Sequence, residues 1–230
     1  MAVTYHSYRV DDIYKKLQVA KFQPLDVMVT GVTGAGKSTT LNTFFQKTVA
    51  KVGIGTDPET MELDAYRLND RIRFWDTPGL GDGVQQDKIN TRKLIDLLYK
   101  TYVLDNNTYG FVDMTLIIIE GVNRDMGTTY HLLNEVIVPN IQKDRILVAI
   151  NQADVAMKGR HWLRDVDKPD RYLKSFLEEQ VLSIQRRVLE ATGVNIIKPV
   201  YYSAEYNFNV HALFNLIIDN MPLQRRKLMK

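Results

Sequence analysis

The segment Gly31-Val32-Thr33-Gly34-Ala35-Gly36-Lys37-Ser38 constrains this chain more than any other, because of what flanks it. Leu25 to Thr30 is a short apolar run with β-branched residues, which predicts a buried strand, and Lys37 to about Lys47 has a helical pattern. Glycines let the backbone curl until several N–H groups face one anion, and the helix start adds the positive end of its dipole. In that setting Lys37 is placed to reach the β- and γ-phosphates of a nucleotide, and the Ser38 hydroxyl to ligate Mg²⁺. Gly31, Thr33, Gly34, Ala35, Gly36, Lys37, Ser38 and Thr39 are thus the expected phosphate cradle. The plain alternative is a glycine turn before an unrelated helix, and the strand–loop–helix context argues against it. The motif alone does not separate ATP from GTP.

The rest of the chain alternates in the same way. Strands are expected at Glu62 to Leu68, Arg71 to Trp75, Met114 to Glu120, Arg145 to Ile150 and Lys198 to Tyr202. Helices are expected at Val10 to Phe22, Asp87 to about Tyr102, Thr128 to about Val138, Asp170 to Thr192 and Val210 to Met221. Asp105 to Asn107 and Val155 to Pro169 read as irregular connections. The inner strands are apolar on both faces, which predicts a mostly parallel α/β sheet with helices on both sides. The two strands around Asn69-Asp70 are too close for a crossover and should pair antiparallel.

A chain of 230 residues suits one large domain. The expected division is a helical extension at 1–24, the nucleotide-binding domain at 25–222 and a basic, solvated tail at 223–230 containing Arg225, Arg226, Lys227 and Lys230. A net charge of +3 from 30 basic and 27 acidic residues does not announce a nucleic-acid partner. The absence of cysteine excludes disulfides and Cys-based metal sites, and fits a reducing cytoplasm. With no apolar leader and no transmembrane segment, a soluble cytoplasmic protein is expected.

Three further motifs each follow an expected strand. In Asp76-Thr77-Pro78-Gly79, Asp76 should hold Mg²⁺ through water, and the Gly79 N–H should donate to the γ-phosphate. That bond exists only with a triphosphate, so Gly79 to about Gln86 is expected to switch, with Gly81 and Gly83 giving it freedom. The loop before the second strand should supply a threonine to Mg²⁺ and the γ-phosphate. Thr60, next to the strand at Glu62, suits this better than Thr56, although both remain candidates. In Asn151-Gln152-Ala153-Asp154, the Asp154 carboxylate can accept both N1–H and N2–H₂ of guanine, a donor pair that adenine lacks. Asn151 should meet the acceptor side of the base and tie this loop to the phosphate loop. In Ser203-Ala204-Glu205, the Ala204 N–H should donate to guanine O6.

With these residues in this order, the chain resembles a translation-factor-class GTPase domain, nearest to the Era and septin-like groups. GVTGAGKSTTLN is similar to the phosphate loops of septins and immunity-associated GTPases. VGIGTDPETMEL, WDTPGLGDG and INQAD resemble a group of bacterial Era-like GTPases often described as ribosome-binding. The resemblance runs from about Leu25 to about Met221. It implies a three-layer P-loop NTPase G domain with a six-stranded sheet and one antiparallel edge strand. The expected ligands are GTP or GDP with Mg²⁺. The expected reaction is hydrolysis to GDP and phosphate, with Lys37, Thr60 and Gly79 at the reacting phosphate.

Three departures qualify the resemblance. Gln152 stands where many members have a lysine whose stem packs on the base. Leu80 stands where Ras-like enzymes place the glutamine that orients water, so intrinsic hydrolysis should be slow or need another group. Gly34 stands where potassium-activated relatives carry asparagine, so potassium activation is not supported. Septin-like and immunity-associated GTPases pair their nucleotide faces, which implies a nucleotide-dependent homodimer. Arg124 and His131 are trans-acting candidates there, or have local structural roles. A nucleotide-gated binding module with negligible turnover is the alternative to an enzyme, and an ATPase or kinase is disfavoured by Asp154 with Asn151. A ribosome or membrane partner does not follow from the residues; this sequence holds no RNA-binding domain of the Era kind after its last helix, which fits either a function of the GTPase domain alone or a longer natural protein.

Overall fold

Apolar runs buried on both faces place three strands at the centre of a sheet: β1 (Leu25–Gly31), β6 (Met114–Glu120) and β7 (Ile146–Asn151). The computed structural model describes residues 4–46, 65–121 and 126–228. With β2 (Ala65–Arg67), β3 (Ile72–Asp76) and β10 (Val200–Tyr201), the strand order is β10-β7-β6-β1-β3-β2. Every neighbouring pair is parallel except β2 with β3. The expected antiparallel strand is therefore at the edge. Its turn forms because Asn69 Oδ1 accepts from the backbone N–H of Arg71 and Ile72, at 2.9 and 3.1 Å.

Helices α1 (Val10–Ala20), α2 (Lys37–Phe45) and α6 (Val210–Asp219) cover one face through Ile13, Leu17, Leu41, Phe44, Leu213 and Phe214. Helix α3 (Val84–Tyr99), α4 (Gly127–His131, continued by a wider π-turn over Leu132–Ile137) and α5 (Arg171–Thr192) cover the other through Leu94, Leu133, Ile137, Val181 and Val188. Helix α5 has the boundaries its sequence signals. Asp170 Oδ1 accepts from the N–H of Tyr172 and Leu173, and Gly193 leaves the helix at φ 67°.

Two hairpins occupy segments that read as helix end or loop. Strands β4 (Thr101–Leu104) and β5 (Asn107–Gly110) pair antiparallel around Asp105 and Asn106, whose φ values are 49° and 60°. Two successive left-handed residues make the tight turn that suits a two-residue hairpin. Strands β8 (Trp162–Leu163) and β9 (Lys168–Pro169) form a smaller hairpin within the expected irregular stretch 155–169.

The basic C-terminal run is not solvated throughout. The Arg226 side chain is buried, donating to the carbonyls of Leu98 and Asn140, while its own carbonyl accepts from Gly110 N–H at 2.8 Å. Arg225 lies over the rings of Tyr102 and Tyr109. Arg145, also buried, donates to the carbonyls of Asp113 and Gln224 at 2.9 and 2.8 Å. These groups gather at the N-terminal ends of the strands, opposite the edge where open α/β sheets bind ligands.

Asp113 sits among them, its Oδ2 accepting from Asp26 N–H at 2.9 Å. Burial pushes its carboxyl up to about 7, against the pull of that hydrogen bond and of Arg145 and Arg226. The folded protein thus holds the Asp113 proton well above the ordinary carboxylate value of about 3.9. The stability from this group is fully present below that value and is lost as pH rises through about 7. We expect Asp113→Asn to remove this loss, so the variant gains on the wild type in urea unfolding between pH 5 and pH 8. A pH-independent difference would contradict the assignment.

Candidate GTP-binding site

The phosphate loop leaves β1 at Gly31 and enters α2 at Lys37. Gly36 is left-handed at φ 84°, and a Cβ there would overlap Asn151 Nδ2, so only glycine fits. Lys37 is 8% exposed and curls back over the loop, its Nζ donating to the carbonyls of Val32 and Gly31 at 3.1 and 3.4 Å. Burial lowers its pKa, opposed by the charges of Asp76, Asp82 and Glu120. Among the described residues its hydrogen bonds thus go to carbonyls rather than to a carboxylate.

Ser38 Oγ donates to Asp76 Oδ2 at 3.0 Å, so the first turn of α2 and the C-terminal end of β3 bring the two expected Mg²⁺ groups together. Both offer hard oxygen atoms. Among the described residues no cluster of three His, Cys, Asp or Glu is present. A divalent ion here would take its other ligands from phosphate and water, which is how Mg²⁺ is commonly held. The residues present therefore fit that ion. Thr60 and Thr56 lie outside the described residues.

The segment after Asp76 lies against the phosphate loop. Leu80 O accepts from Thr33 N–H at 2.8 Å, Leu80 N–H donates to Gly31 O at 3.4 Å, and Thr33 Oγ1 donates to Asp82 Oδ2 at 2.7 Å. Thr33, expected in the phosphate cradle, donates from both its N–H and its hydroxyl to this segment. The Ala35 N–H likewise donates within the loop, to Val32 O at 3.2 Å. Gly34 remains exposed at the turn, in reach of the Glu120 carboxylate. The Leu80 side chain is fully buried in the cluster of Met28, Trp75 and Leu94.

Asn151 ties three loops. Its Nδ2 donates to Ala35 O at 2.9 Å and its Oδ1 accepts from Ala204 N–H at 3.0 Å. The expected tie to the phosphate loop is present. The buried Asn151 amide acts as a strut between these loops, its oxygen accepting the Ala204 N–H. Gln152 at φ 63° donates from Nε2 to Gly34 O at 2.8 Å. Ser203 closes the last loop, exchanging backbone bonds with Phe208 at 3.0 and 2.9 Å and accepting from Tyr206 N–H at its Oγ. Asp154, Gln152, Thr39, Gly36 and Glu205 line one cavity of about 260 Å³ beside this strut.

Other groups carry no short motif. Asp87 Oδ1 accepts from Gly81 and Asp82 N–H at 2.8 and 3.1 Å, and Asn90 Nδ2 donates to Gly79 O at 2.7 Å. The acidic first turn of α3 was the available signal for Asp87, and none marked Asn90. His131 is exposed on α4, and Arg124 lies outside the described residues.

Translocase of chloroplast 125 from Physcomitrium patens is 38% identical over 69 residues, 27% of this chain and 6% of that protein. The chain thus spans a small part of that relative's length. Toc33 from Arabidopsis thaliana in complex with Mg²⁺ and GMPPNP superposes with a TM-score of 0.62 at 14% identity, covering 99% of each chain. An Era variant from Aquifex aeolicus bound to GDP and AlF₄⁻ gives 0.53 at 18% identity, over 87% of this chain and 58% of that one. At such identities these structures establish the fold alone. A family model described as "50S ribosome-binding GTPase" matches residues 26–185, taking in the phosphate loop, the Asp76–Gly79 segment and the base loop at Asn151–Asp154. On that match the chain belongs to the 50S ribosome-binding GTPase family.

Proposed function

We propose that this chain binds GTP with Mg²⁺, hydrolyses it to GDP and phosphate, and reports the γ-phosphate through the segment from Gly79 to Gln86. One observation carries the reading. The Ser38–Asp76 contact and the Asn151 strut bring the phosphate loop, a carboxylate and the base loop to one edge of the sheet. On nucleotide binding Lys37 exchanges its carbonyl partners for β- and γ-phosphate oxygens. Ser38 directly and Asp76 through water would hold Mg²⁺, with Thr60 as a further ligand. When bound, the ion would neutralise charge on the β- and γ-oxygens. The Gly79 N–H donates to the γ-phosphate. Asp154 accepts N1–H and N2–H₂ of guanine, with the Gln152 stem against the base and Thr39 and Glu205 at the rim. Water attacks the γ-phosphorus, the bond to the β–γ bridging oxygen breaks, that oxygen leaves with GDP, and the protons of the water end on the released phosphate.

A second reading has its own observation. The buried Leu80 cannot orient water, which favours a nucleotide-gated module that turns over little until a partner completes the site. A second copy of this chain is the partner proposed, with Arg124 and His131 as candidate groups. A dimerization-deficient mutant of Toc33 is among the similar structures, and that relative's pairing supports the idea. Among the described residues no helix is long and apolar enough to cross a membrane. We expect phosphate release per molecule to rise with protein concentration, in step with dimer seen by sedimentation with a transition-state mimic. Negligible release at every concentration, with guanine nucleotide bound, would leave the gated module as the function.

A further inference from the structure

Gly79 has no side chain to fix it, so something else must aim the N–H that the proposed function gives to the γ-phosphate. One boundary is the phosphate loop. A Cβ on Gly79 would lie 2.5 Å from Thr33 Oγ1 and 2.6 Å from Thr33 N, so its backbone is pressed directly on Thr33. The opposite side is held by α3. Asn90, 2% exposed, donates from Nδ2 to Gly79 O at 2.7 Å. Its Oδ1 accepts from Gln86 Nε2 at 2.9 Å, so both ends of the amide are engaged and its orientation is set. Asp87 then holds the N–H groups of Gly81 and Asp82. Residues 79–82 thus hang from α3 by two side chains, with Leu80 as the apolar plug between them.

We infer that Asn90 is a positioning residue, whose bond to the Gly79 carbonyl presets the Gly79 N–H toward the γ-phosphate and couples that phosphate to helix α3. The inference rests on the GTP-binding reading above. A buried amide left without its acceptor is costly, so the bond has a strong preference for one geometry of Gly79. Without it, the γ-phosphate would have to order a glycine-rich segment at the moment of binding, and GDP would not. The expected signature is a loss specific to the triphosphate. A purely structural asparagine would instead lower stability and weaken both nucleotides alike.

The test compares the affinities of GDP and a non-hydrolysable GTP analogue, with Mg²⁺, for the wild type, Asn90→Asp and Gln86→Ala, each followed also by thermal melting. Asn90→Asp keeps the shape of the side chain and, when ionised, removes the donor but adds a negative charge, so the uncharged change Gln86→Ala is the control for simple repulsion of the γ-phosphate. Gln86 is exposed, and its loss frees only the orientation of the amide. The analogue-to-GDP affinity ratio is expected to fall about tenfold in Asn90→Asp and about twofold in Gln86→Ala, with GDP affinity little changed. A ratio equal to the wild type in Gln86→Ala and in a folded Asn90→Asp would overturn the inference. Equal losses for both nucleotides would overturn it as well. A wild type that binds neither nucleotide would sink the underlying reading instead, and shows in the first titration alone.

Discussion

Lys37→Met is expected to lower affinity for GTP and GDP by about a hundredfold or more while leaving the nucleotide-free protein as stable as the wild type, or more so. The two halves come from one geometry. Without nucleotide, Lys37 is a nearly buried ammonium whose hydrogen bonds among the described residues go to the carbonyls of Val32 and Gly31. Its pKa is lowered by burial, so the folded state bears a desolvation cost that the nearby carboxylates offset only in part. An unbranched methionine fills the same space and removes that cost. With nucleotide, the same ammonium meets the most negative part of the ligand. Thermal melts with and without Mg²⁺–GDP check both at once: the melting temperature without ligand should hold, and the rise on adding ligand should vanish. A variant that unfolds more easily without ligand would show that Lys37 is a structural cation.

Asp154→Asn should lose guanine preference by about a thousandfold. A carboxylate accepts from two neighbouring donors, N1–H and N2–H₂. An asparagine amide offers one acceptor and one donor, so it opposes one of guanine's N–H groups with its own. Xanthine carries a carbonyl at that carbon and matches the amide, so xanthosine nucleotides should bind the variant better than guanosine nucleotides do. The cavity beside the Asn151 strut would be otherwise unchanged, because neither the Ala35 nor the Ala204 hydrogen bond of that strut involves Asp154. Competition titrations with guanosine, xanthosine and adenosine diphosphates read this directly. Retained guanine preference would move base recognition to another group, with Gln152 or Glu205 next in line.

Much of this site was legible because its chemistry needs adjacent residues. A phosphate loop is a run of the chain, so strand, glycines, Lys37 and Ser38 declare each other. The central strands announced themselves as apolar runs too uniform for a surface, and α5 by Asp170 and Gly193. What stayed hidden depends on partners distant in sequence or on backbone atoms, which carry no residue code. The burial of Arg226 follows from the carbonyls of Leu98 and Asn140, and a basic run reads as solvated without them. Asn90 reaches back to a glycine carbonyl. The acceptors of the Thr33 and Ala204 N–H groups, Leu80 O and Asn151 Oδ1, likewise carry no sequence signal. The β4–β5 hairpin was masked by the helical period of Leu94, Leu97 and Leu98, which runs up to its first residue, although Asp105-Asn106 is a turn pair.

The most direct measurement is equilibrium titration of the wild-type protein with fluorescent GDP, a GTP analogue and ATP, each with and without Mg²⁺. The account predicts tight binding of both guanine nucleotides, strengthened by Mg²⁺ for the triphosphate, and no comparable binding of ATP. Equal binding of ATP would contradict the role of Asp154, and no binding of any nucleotide would contradict the account as a whole.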